Sequence, residues 1–150
     1  MTTPPLIALL EGRNARVRRV PKIRPKEIVL HMQVADVMRR FIKPGWQWTH
    51  FPAGELRNPR VAQKLKAMGL AKGWPDFLML SPAGGKLHAL ELKRLGEDLT
   101  EDQETFRTWC VENGAPHAVA RTVDEALAVF ETWGCLRIKL TAGGKIGGAA

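Results

Sequence analysis

The chain has 150 residues, 45% of them hydrophobic, which is enough for one domain with its own core. Lys and Arg number 23 against 15 Asp and Glu, a net charge of +8 with a pI near 10.0, so an acidic partner surface is favoured and a basic one disfavoured. No stretch approaches the ~20 apolar residues of a membrane span, and basic residues follow the apolar piece at the N-terminus rather than precede it, the reverse of a secretory leader.

Residues 1–23 hold Pro4, Pro5, Gly12 and Pro21 and show no period, so they read as a flexible arm. Arg13, Arg16, Arg18, Arg19, Lys22, Arg24 and Lys26 fall within fourteen residues free of acid. Such a run is either a solvated surface or a phosphate-binding segment, with nucleic acid the first partner to consider. Pro25 suits the first position of a helix over 26–42, where Leu30, Val34, Val37, Met38 and Phe41 recur at helical spacing and Glu27 and His31 sit at the stripe's margin. Lys43-Pro44-Gly45 stops that helix. Residues 46–51 read as a strand, with Trp46 and Trp48 on one face. An irregular basic stretch runs to Arg60, and a short helix over 61–68 ends at Gly69.

Two apolar runs, 77–80 and 86–90, flank Ser81-Pro82-Ala83-Gly84-Gly85, and together they read as a hairpin. Thr100-Glu101-Asp102-Gln103 is a capping box opening a helix to Glu112. Cys110 in that helix and Cys135 form no zinc or CxxC pattern, so both read as free thiols in a reducing, cytoplasmic compartment. A short strand over 116–120 is followed by a second capping box at Thr122-Val123-Asp124-Glu125, which opens a helix to Trp133. Trp109 and Trp133 are expected in the core. Alternation over 136–140 predicts a last edge strand, and the Gly-rich stretch 141–150 reads as a disordered tail. Both faces of the hairpin are apolar, which predicts a three-layer α/β domain over 24–140, a mixed central sheet flanked by helices.

The hairpin also carries the chemistry. If 82–85 form a four-residue loop, Asp76 faces Glu91, and opposed residues have Cβ atoms roughly 5 Å apart. Lys93, two residues on, points to the same face. Two carboxylates that close are costly unless a cation lies between them, and their hard oxygens suit Mg2+ or Mn2+. Taken singly, each half of the pattern is an ordinary strand feature. It is their alignment across one hairpin that points to a metal site.

Pro75-Asp76, with Glu91-Leu92-Lys93 beginning fifteen positions after Asp76, resembles the signature of the PD-(D/E)xK nuclease superfamily. Glu27, the run from His50 to Arg57, Lys64-Leu65-Lys66 with Gly69, Gly73-Trp74-Pro75-Asp76 and Gln103 make residues 25–133 similar to its VRR-Nuc (virus-type replication-repair nuclease) family, the short stand-alone members most of all. The resemblance implies a restriction-endonuclease-like fold and a Mg2+- or Mn2+-dependent DNA phosphodiesterase. Asp76, Glu91, Glu27 and the Leu92 carbonyl would be metal ligands and Lys93 the catalytic lysine. It further implies a homodimer acting on branched DNA such as four-way junctions.

Other candidates keep two readings at this stage. Gln103 is explained by its capping box or serves the site. His50 is a structural strand-end residue or touches phosphate. Arg57, Arg60, Lys64 and Lys66 form a solvated surface or a phosphate track, with Arg16, Arg18 and Arg19 as further DNA contacts. Trp74 is the one tryptophan placed near substrate. The rival functions are a restriction-type or single-strand-directed nuclease and, from another class, a non-catalytic DNA-binding module.

Overall fold

The computed structural model describes residues 27–52, 58–140 and 146–147. The arm with Arg16, Arg18 and Arg19, the expected helix start at Pro25, and Arg57 lie outside the described residues. The elements are α1 (Glu27–Phe41), β1 (Gln47–His50), α2 (Pro59–Ala67), β2 (Phe77–Leu80), β3 (Leu87–Leu92), α3 (Glu101–Glu112), β4 (His117–Ala120), α4 (Val123–Trp133), β5 (Lys139–Leu140) and β6 (Ile146–Gly147). The first four strands form one mixed sheet in the order β1-β2-β3-β4. β1–β2 and β2–β3 are antiparallel and β3–β4 is parallel, with α3 in the crossover.

The hairpin has the register that its loop length dictates. Leu80 pairs with Leu87, Phe77 pairs with Leu90, and the Ser81 amide donates to the Lys86 carbonyl at 3.0 Å. Gly84 and Gly85 take φ of 76° and 64°, the left-handed conformation that a chain reversal this short requires. Phe77, Met79, Leu90 and Leu92 join Leu30, Val34, Ala35 and Met38 of α1 and Ala126 and Phe130 of α4 in one buried core. α3 instead contacts β4, and its Gln103 reaches Glu91, whose side chain alternates to the face away from Leu90 and Leu92.

Several expectations need correction. The buried stripe of α1 is Leu30, Val34, Ala35 and Met38; Val37 only borders the core and Phe41 is half-buried, because the helix is rotated to lay Ala35 against its neighbours. Residues 136–140 do not extend the sheet. Leu136 makes a single bridge to Ile42, and Lys139–Leu140 pair with Ile146–Gly147 as a separate two-stranded ribbon, so part of the stretch read as a tail is hydrogen-bonded. The second hairpin face is only partly covered: Ala89 is buried but Leu80 is 44% exposed. Trp109 is not core; it is 50% exposed and rests its ring against Phe106, while α3 buries only Cys110. Trp46 and Trp133 do pack against the core, with the His88 ring set edge-on between them. Thr122 caps α4 through the Glu125 amide, but the Glu125 carboxylate accepts from Arg121 N–H rather than closing the box. Cys110 and Cys135 are buried free thiols, and burial pushes the Cys135 thiol up to about 11. Among the described residues no helix is long and apolar enough to cross a membrane.

Candidate active site

The site lies where β2 begins and β3 ends. Asp76 immediately precedes β2, and Glu91 and Leu92 close β3, with Lys93 next. Since Phe77 pairs with Leu90, Asp76 and Glu91 form the next opposed pair outward. Antiparallel ladders alternate bonded and non-bonded pairs, and Ser81–Lys86 is a bonded one. Counting outward by twos, the bonded position at the other end of the ladder matches Pro75 with Leu92. Proline has no N–H to give. The Leu92 carbonyl therefore meets no ladder donor there, and the Leu92 amide donates instead to Asp76 Oδ2 at 2.7 Å. Pro75, itself fully buried, thus frees one carbonyl and aims the neighbouring carboxylate by a charge-assisted hydrogen bond.

The electrostatics are those of a site short of positive charge. Glu91 is 3% exposed, and its carboxyl is pushed up to about 8, first by burial and then by the Asp76 charge, with Lys93 pulling the other way. Asp76 is also raised, by burial above all. The Leu92 N–H and the His31 and His50 side chains oppose that shift, and Glu27 adds to it. The Lys93 ammonium, 12% exposed, lies 3.5 Å from Glu91 Oε1. One lysine beside one buried and one partly buried carboxylate leaves an excess of negative charge whenever both are ionised. That donor set, two carboxylates plus a carbonyl without a ladder partner, fits Mg2+ or Mn2+, which bind through few protein oxygens and keep several waters. Among the described residues no three His, Cys, Asp or Glu side chains form a ready-made cage, so the fit is to an open site rather than an enclosed one.

Four further residues gather around this pair. Glu27, at the start of α1, meets Arg94 Nε at 3.6 Å. His50 Nδ1 is 2.8 Å from the Asp76 carbonyl, and the Phe51 amide donates to the same oxygen at 2.7 Å, so β1 clamps the backbone of Asp76. Trp74, 39% exposed, meets the tilted rings of Phe51 and Phe106 at centroid separations of 5.6 and 5.1 Å. Gln103 has both of the roles left open above. Its Oε1 accepts from the Thr100 amide to complete the capping box, and its Nε2 donates to Glu91 Oε1. One amide thereby fixes α3 to the carboxylate. Replacing Gln103 with Glu keeps the capping acceptor but sets a like charge against Glu91. Any activity that depends on Glu91 is expected to fall about 10- to 100-fold while the helix content by circular dichroism stays unchanged. A variant as active as the wild type would reduce Gln103 to a cap alone.

The structure does not bring the α2 cations into this group. Arg60, Lys64 and Lys66 are exposed on a helix with no buried residue, which is held at its start by the Asn58 cap and Pro59. His31 was placed only at a helix margin by its spacing from Glu27, yet it lies 3.8 Å from Asp76 Oδ1. Its i, i+4 relation to Glu27 was the available signal. Arg94 had none, because its pairing with Glu27 joins elements far apart in sequence. No protein-family model, curated protein or solved structure matches the chain.

Proposed function

We propose that the protein is a Mg2+- or Mn2+-dependent DNA endonuclease that hydrolyses phosphodiester bonds. The observation that carries this is the opposed pair of the partly buried Asp76 and the buried Glu91, with Lys93 on the same patch of a basic chain. The helices that contact the sheet on its two faces support a three-layer, restriction-endonuclease-like arrangement. Asp76, Glu91 and the Leu92 carbonyl would hold the ion, with Glu27 in reserve at the helix margin. Such an ion, when bound, supplies a Lewis acid for a phosphoryl oxygen and acidifies a water.

The chain's own residues do the rest. Asp76 is oriented by the Leu92 N–H and Glu91 by Gln103, so neither carboxylate needs to reorganise during reaction. Lys93 holds a positive charge close to where negative charge builds on the phosphorus oxygens. His50 and Phe51 fix the backbone beneath Asp76. The exposed part of Trp74 offers an aromatic contact for a base near the site. Action on branched DNA as a homodimer belongs to the same proposal and rests on the VRR-Nuc resemblance.

The test is a cleavage panel of four-way junction, splayed-arm, duplex and single-stranded DNA in Mg2+, Mn2+ and excess EDTA. Junction cleavage in either metal and none in EDTA is the expected result. Undiminished cleavage in EDTA rejects the metal mechanism, preference for duplex or single strands selects the restriction-type or single-strand reading, and salt-sensitive binding without cleavage in any metal selects the non-catalytic module. Removing residues 1–26 is expected to weaken DNA binding and to flatten log affinity against log salt, by about 0.9 in slope for each lost phosphate contact on duplex DNA. An unchanged slope would take the arm out of the interface.

A further inference from the structure

We propose that His31 is a nitrogen donor to the cation held at Asp76 and tilts that site from Mg2+ toward a first-row transition ion such as Mn2+. The inference rests on the metal-dependent reading above and adds to it a residue that neither the Asp76–Glu91–Lys93 pattern nor the Leu92 carbonyl requires. His31 Nε2 is buried and has no hydrogen-bond partner, although two carboxylates stand near it. A buried ring nitrogen left unpaired is costly, which calls for a role. It stands 3.8 Å from Glu27 Oε1 and 3.8 Å from Asp76 Oδ1.

That separation is too long for a hydrogen bond to either carboxylate. It does match two donors on one ion: ligands about 2.1 Å from a shared cation lie roughly 3 to 4.2 Å apart, depending on the angle between them. The ring is held in this attitude. The His31 side chain is 16% exposed, its ring meets His50 edge-on at 5.2 Å, and Phe77 lies against it at 6.0 Å. These two contacts fix the plane of the ring. Helix geometry agrees, since Glu27 and His31 are one turn apart on α1 and His31 stands beside Asp76 at the start of β2. Oxygen-only sites suit Mg2+, which also gives up its waters reluctantly, whereas an imidazole nitrogen raises affinity for transition ions along the Irving–Williams series.

The test uses the full-length protein and Mn2+ or Mg2+ alone as the probe. Calorimetric titration of Asp76→Asn first establishes that Mn2+ binding depends on Asp76. Pulsed electron paramagnetic resonance of bound Mn2+ is expected to show a directly coupled nitrogen in the wild type and in His50→Gln and to lose it in His31→Gln. His31→Gln is expected to weaken Mn2+ binding about tenfold and Mg2+ binding less than about twofold. Asp76-dependent Mn2+ without nitrogen coupling in the wild type, a reading that does not depend on any His31 variant folding, overturns the role of His31 while leaving the metal site standing. Coupling that survives in His31→Gln, or equal losses for the two ions, overturns it as well. Mn2+ affinity unaffected by Asp76→Asn would remove the metal reading itself.

Discussion

Cleavage is expected to fall on the order of a thousandfold or more when Asp76 is replaced by Asn or Glu91 by Gln, because several kcal/mol of transition-state stabilisation depend on the ion these carboxylates would hold. Each replacement keeps the side chain's shape, and Glu91→Gln keeps an oxygen to accept from Gln103, so the fold should persist. The same variants make a second, opposite prediction about stability. In metal-free protein Glu91 titrates at about 8, against about 4.3 for an unhindered glutamate. Between those values the folded chain keeps a proton that the unfolded chain has released. Folding stability therefore declines as pH rises through that window, and the full penalty stands above about pH 8. The raised Asp76 carboxyl acts in the same direction over its own, unvalued range. In EDTA at pH 9, Glu91→Gln should melt above the wild type. At pH 3, where the carboxyl is almost wholly protonated in both states, the two should melt together. Mg2+ or Mn2+ at pH 9 should raise the melting temperature of the wild type and leave that of the variant unmoved. A variant that cleaves at the wild-type rate ends the nuclease assignment. One that is inactive but less stable than the wild type at pH 9 ends the account of a charge-strained pair.

Gly73→Ala is expected to cost about 2 kcal/mol or more of stability and most of the activity. Gly73 has φ of 80°, where a side chain is strained, and a Cβ there would come within 2.4 Å of the Asp102 carbonyl oxygen. This contact is backbone against backbone, between the segment leading into Trp74-Pro75-Asp76 and the first turn of α3. Relieving it means moving either Asp76 or Gln103, the two groups that meet at Glu91. Gly69 is the control: it has φ of 96° with nothing within 4 Å of its would-be Cβ. Gly69→Ala should cost about 1–2 kcal/mol from strain alone and leave cleavage intact. Chemical denaturation and the cleavage assay on both variants separate strain from clash. Equal behaviour of the two would show that the Gly73–Asp102 approach does not position the site.

Much of this arrangement was legible in the chain because it is local. The Pro82–Gly85 loop fixes the hairpin register by length, side chains alternate along a strand, and so Asp76, Glu91 and Lys93 fall on one face without knowledge of any other element. The Thr100–Gln103 box was readable for the same reason. The resemblance to the VRR-Nuc family added the expectation of DNA cleavage, which the residues alone left open. What the chain could not reveal is which distant groups meet. Gln103 reaching Glu91, His31 reaching Asp76 and Arg94 reaching Glu27 each join elements separated by turns whose path is set by packing. The rotation of α1 that buries Ala35 and the diversion of 136–140 into a ribbon have the same origin, because periodicity defines a face but not its partner. By itself, then, the sequence determined the chemistry of the site, two carboxylates and a lysine in register. Only the tertiary structure decided its environment: the burial that raises both carboxyls, the amides that aim them, and the orphaned imidazole beside them. Desolvation depends on everything that surrounds a group, and that is settled only when α1, α3 and β1 close on the hairpin.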